Sequence, residues 1–147
     1  MNDSAIRILV SALVGVHFVG NVWHGDAHAT LEISLPDWKT AYVVVVILVA
    51  PLAGGVLLWT RFMTLGAWIV GLSMVGSVLF SVYHHYVMIS IDNVDHLPAG
   101  TVEEHAHFTN SAAFIALSAL AAALVAFYSA GRARRSGGAA SGLPTDP

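Results

Sequence analysis

Four long apolar runs alternate with short polar segments along the chain. They extend from Ile6 to Trp23, Ala41 to Trp59, Phe62 to Tyr83 and Phe108 to Tyr128. A helix needs roughly 20 apolar residues to cross a bilayer core, and each run meets that length. The Val/Ile-rich stretch from Val43 to Val49 has strand propensity, but the second run is too long for a strand. The pattern predicts an all-α membrane protein, a four-transmembrane-helix up-down bundle, with spans at about 5–24, 40–59, 62–85 and 102–130. Residues 1–130 form that transmembrane domain. Residues 131–147, GRARRSGGAASGLPTDP, are Gly/Ser/Pro-rich without apolar period and predict a disordered cytoplasmic tail.

Helix ends can be read locally. Thr101-Val102-Glu103-Glu104 has the form of a capping box, which starts the fourth helix several residues before its apolar run. The short connection at Thr60-Arg61 makes the second and third helices antiparallel neighbours. Ala27-His28-Ala29 has the form of a secretory cleavage site, but the apolar run before it exceeds the usual signal-peptide core, so the first span is read as retained. Val22-Trp23-His24 and Val82-Tyr83-His84 end the first and third spans alike, as a duplicated helical hairpin would.

Composition agrees with lipid as the solvent. Charged residues make up 10% of the chain and hydrophobic ones 56%, far from the roughly 25% charged content of soluble domains. Trp23, Trp38, Tyr42, Trp59, Tyr83 and Tyr128 bracket the spans as an interfacial aromatic belt would. Arg7, Arg61, Arg132, Arg134 and Arg135 fall on one side of the bundle, opposite Lys39. The positive-inside rule therefore puts both termini in the cytoplasm of a cell or inner membrane. No basic patch with interleaved aromatics supports nucleic-acid binding. The chain has no cysteine, which removes disulfides, thiolate ligands and thiol nucleophiles.

The eight histidines carry the chemical signal. His24 and His28 follow span one, His84 and His85 end span three, His105 and His107 open span four, and His96 lies in the last extracytoplasmic loop. His17 sits about 10 Å deeper than His24, from the helical rise. Helical phase puts His17, Asn21, His24 and His28 on one face; Ser73, Ser77, Ser81 and His84 or His85 on another; and Glu104, His107, Ser111 and Ser118 on a third. Facing lipid would be costly, so these stripes belong in the bundle interior. Small residues such as Gly15, Gly71 and Ala119 also allow plain helix packing, the bland reading of the same positions.

A metal site is the first reading. Imidazoles bind copper, iron or zinc, and a carboxylate can ligate or orient them. The expected ligands are His24, His28, His84 and His107 with Glu104 and Asp26; His17, Asn21, His85, Asp92, His96 and His105 are secondary metal or proton-relay candidates. Glu104-x-x-His107 resembles the E-x-x-H element of di-iron carboxylate bundles, which use two such motifs where this chain has one. His24-x-x-x-His28 resembles one element of histidine-box membrane oxygenases such as desaturases, although Ser81 replaces the first histidine of a second box. Asp92-x-x-x-His96 followed by His105 and His107 resembles the Asp/His/His copper ligation of membrane methane or ammonia monooxygenase subunits, with a different final spacing. The small size and short loops leave little room for a substrate pocket, so the expected protein is a small subunit of a membrane redox or oxygenase complex, with homo- or hetero-oligomeric membrane partners. Three alternatives stay open: a metal-free proton-relay or pH-responsive bundle, a membrane cytochrome with bis-His haem, and a metal transporter. Helix two adds no histidine or acid to the cluster.

Overall fold

The computed structural model describes residues 2–140, with side chains described through Arg132. Four helices make up the fold: α1 (Asp3–Thr30), α2 (Asp37–Leu57), α3 (Met63–Val87) and α4 (Val102–Ala140). All four contain windows long and apolar enough to cross a membrane. α4 continues unbroken to Ala140, so residues 131–140, which composition reads as irregular tail, have a helical backbone. No proline interrupts the ladder of amide hydrogen bonds there. The remainder of the expected tail, residues 141–147, lies outside the described residues.

Local chemistry sets the helix ends. Asn2 Oδ1 accepts from the Ala5 amide at 2.8 Å and caps α1. At the other end of α1, Glu32 adopts a left-handed φ of 54°. The Ile33 amide then donates back to the His28 carbonyl at 2.9 Å, and the Glu32 amide to that of Ala29 at 3.2 Å. This is a Schellman turn, made here without glycine. The capping box of α4 is formed in both directions: the Thr101 amide donates to Glu104 Oε2 at 2.7 Å, and the Glu104 amide to Thr101 Oγ1 at 3.2 Å.

Two helices depart from α geometry. Val43–Val49 in α2 and Tyr83–Val87 at the end of α3 are π-helical. A π turn inserts extra backbone and shifts the phase of everything that follows it. Both insertions lie beside the polar cluster.

Around the bundle the order is α1, α4, α3, α2. α4 packs closely on α1 and α3, and α3 on α2, whereas α2 meets α1 mainly through its second half. Alanines 119, 122, 126 and 130 of α4 are buried against Ile6, Val10, Val70 and Met74, forming the larger apolar core. A smaller core at the opposite end joins Ala27, Leu31, Ile33, Phe108 and Ala112. Outward faces carry exposed Ile8, Val19, Val56, Leu72, Leu117 and Leu124, the surface that lipid would cover. Gly54 and Gly66 allow the closest α2–α3 approach: a Cβ on Gly66 would lie 2.6 Å from the Gly54 carbonyl oxygen.

Candidate metal centre

Three imidazoles converge where α1 and α3 face each other beside the smaller core. His24 Nε2 lies 3.1 Å from His85 Nε2 and 3.1 Å from His28 Nε2. Ligand atoms of all three residues fall within 4.8 Å of one another. His24 and His85 are buried and His28 nearly so. The spacing of His24 and His28 puts them on adjacent turns of one helix face. In α3 the π turn and the following loop bring His85 to the cluster, while His84 turns into an aromatic pocket of Trp38, Phe80 and Tyr83.

The far side of each ring determines where its proton sits. The Ser111 hydroxyl donates to the Phe108 carbonyl at 3.0 Å, so at 2.9 Å it accepts from His24 Nδ1–H. His28 Nδ1–H donates to the Ile33 carbonyl at 3.3 Å, brought within reach by the Schellman turn. His85 Nδ1–H donates to the Asp92 carbonyl at 2.8 Å. The loop holds that carbonyl in place: the Val94 amide bonds back to the His85 carbonyl, and Asn93 Nδ2 donates to the Met88 carbonyl. Each neutral ring carries one proton, on the nitrogen that donates it. With Nδ1 as the donor in each neutral ring, the Nε2 lone pairs of His28 and His85 both approach that of His24. A cation between them relieves that repulsion. A metal holding nitrogens at about 2.0–2.1 Å in tetrahedral geometry separates them by about 3.3 Å, close to the spacing seen. Nδ1–H groups anchored on carbonyl or hydroxyl oxygens are the usual support of metal-binding histidines.

Asp92 completes the polar side. Its Oδ1 lies 3.2 Å from His28 Nε2 and 3.3 Å from His85 Nδ1, and its Oδ2 lies 3.7 Å from Lys39 Nζ. Of these only the Lys39 contact joins opposite charges, and both carboxylate oxygens are buried with no hydrogen-bond partner. Behind the cluster, the fully buried Phe108 ring stands 4.9, 5.1 and 5.5 Å from the His24, His28 and His85 rings. It closes that side with an apolar wall.

The remaining sequence candidates lie apart from the three Nε2 atoms. Asp26 is exposed, and its backbone carbonyl takes the Thr30 hydroxyl. Glu104 serves the capping box. The His107 ring stacks on Trp23 at 5.6 Å, with a buried Nε2 that lacks a partner. His105 bonds to the Pro98 carbonyl, and His96 lies 3.4 Å from Asn93 Oδ1. His17 is a satisfied interior histidine. Ser118 accepts from its Nδ1–H at 3.0 Å, while Asn21 and Ser77 donate to its Nε2 at 3.0 and 3.2 Å. Neither nitrogen is left for a haem iron.

Lys39 is the residue that sequence reasoning passes over. It is buried on α2 and ion-paired to Asp92, so helix two does reach the cluster, through a base. Its position as the one basic residue on that side was the available signal. Compared with known proteins, the chain matches no protein-family profile, no curated protein and no solved structure at a significant level.

Proposed function

We propose that this chain is an integral membrane protein that binds one first-row transition metal through His24, His28 and His85, with Asp92 as the adjoining carboxylate. The observation that carries this is the convergence of three imidazole Nε2 atoms in rings whose Nδ1 atoms all have oxygen partners elsewhere. Imidazole and carboxylate donors suit copper, iron and zinc. Three protein nitrogens leave a coordination position free, the arrangement of catalytic rather than structural sites. With copper or iron, the centre supplies redox chemistry, and the protein works as a small subunit of a membrane redox or oxygenase complex. The arginine distribution assigns the centre to the extracytoplasmic face.

A fixed centre is favoured over a transport path. Below the cluster, His17 is fully hydrogen-bonded, and beyond it the interior is the apolar core of Ile6, Val10, Val70 and Met74. Among the described residues no ladder of histidine or carboxylate ligands continues through it.

Elemental analysis of protein purified in mild detergent, with absorption and paramagnetic resonance spectra, tests the proposal. One equivalent of copper or iron, with nitrogen hyperfine structure for copper, is the expected result. Zinc alone would remove the redox role and keep the site. Protein that is folded and metal-free after reconstitution with all three metals would overturn it.

A further inference from the structure

The three-histidine cluster opens onto a cavity of about 370 Å³ between α1, α2 and α3. His24, His28, His85 and Asp92 line it. Val43, Ile47, Leu48 and Phe80 supply much of its apolar lining, with Asn21, Thr40 and Ser81 as further polar residues. Small-molecule sites have this character: a mostly apolar chamber, from about 300 Å³ upward, with a few polar groups converging at one point. The short loops of the sequence give no sign of it, because the space is made within the helices. Three of those four apolar residues belong to the π-helical Val43–Val49 segment. That same half of α2 leans on α3 and leaves its seam with α1 loosely closed.

We infer that this cavity receives the apolar body of a small substrate whose polar end completes the coordination of the bound metal. The inference rests on the metal reading above and names the class of molecule the site takes: compact, largely hydrocarbon, with a single donor group. The histidines and the apolar residues line one chamber, so a molecule with its donor on the metal has Val43, Ile47 and Leu48 within the same space for its hydrocarbon part. A wholly polar substrate would leave those residues without a partner. A long lipid tail would exceed the space. Entry is sideways, through the α1–α2 seam, where a hydrocarbon molecule is already concentrated by the membrane.

Cobalt(II)-loaded, full-length protein in detergent tests this, with N-methylimidazole and N-butylimidazole as probes of equal donor chemistry and unequal apolar length. Ligand-field bands report coordination. We expect N-butylimidazole to reach half-saturation at a concentration at least about tenfold lower, as burial of its added methylenes requires. Val43→Phe and Leu48→Phe fill the chamber without touching the histidines. Either should cut the preference to about threefold or less at unchanged cobalt stoichiometry; partitioning into micelles is common to all the proteins and cancels. Two variants guard against one failing to fold. Equal half-saturation in the wild type, no spectral response to either probe, or a preference unchanged in the filled variants would overturn the inference while leaving the metal centre standing. Failure to retain cobalt, copper, iron or zinc would overturn both together.

Discussion

His24 occupies the middle of the cluster: both short Nε2 separations involve it, and its orientation depends on one hydroxyl. Ser111→Ala deletes the acceptor for His24 Nδ1–H. Metal affinity should fall roughly 10–100-fold, the usual effect of losing a histidine's outer hydrogen bond, as measured by competition with a chelator. Ser81 makes the control, since its hydroxyl is buried without a partner; Ser81→Ala should leave affinity unchanged. Lys39 and Asp92 are a buried pair with side chains 8% and 4% exposed. Asp92→Ala leaves the ammonium buried alone and should cost about 3–5 kcal/mol, read as a lowered thermal midpoint of the metal-free protein in detergent. A midpoint within a degree of wild type would show the pair to be hydrated and weak. Single residues were only partly legible from the chain. Histidine phase alone identified His24 and His28, but Lys39 and Ser111 matter through partners far away in sequence, and their chemistry is ordinary until the fold brings those partners close.

The helices were readable because length and hydropathy act over many residues at once, and the capping box because both its bonds are local. Irregularities within them were not. Tyr83–Val87 reads as one more helical turn with His84 as the expected ligand and His85 as a secondary candidate, whereas the structure brings His85 to the cluster. The π turn and the loop bonded to the His85 carbonyl decide it. The Schellman turn after α1 was equally hidden, because Glu32 stands where glycine would announce it. A tight helix contact can be tested away from the site. Gly66→Ala places a methyl against the Gly54 carbonyl, where backbone rather than a flexible side chain must yield. It should destabilise by about 1–3 kcal/mol, the usual cost of overpacking, while folded protein keeps its metal. Equal loss of metal and stability would instead couple the α2–α3 contact to the centre.

At the scale of the molecule, a polar centre near one end of a mostly apolar bundle needs an orientation before it has a function. By the positive-inside rule, arginine placement predicts that the α1–α2 loop lies outside and the α2–α3 turn in the cytoplasm. The chain has no cysteine, so Ser34→Cys and Thr60→Cys each add a single thiol at an exposed position. In intact cells a membrane-impermeant maleimide should label the first and spare the second; the reverse pattern would put the centre on the cytoplasmic side. Convergence of the histidines at one level followed from topology, whereas the apolar chamber beside them depends on how α2 leans and has no trace in the pattern of residues. The identity of the histidines that hold the metal is the central point. Metal content of His24→Ala and His85→Ala, set against His84→Ala and His107→Ala in folded protein, measures this directly. The first two should fall from one equivalent to near none, and the last two should keep it. Loss of metal from His84→Ala or His107→Ala, with retention in His24→Ala and His85→Ala, would contradict the account.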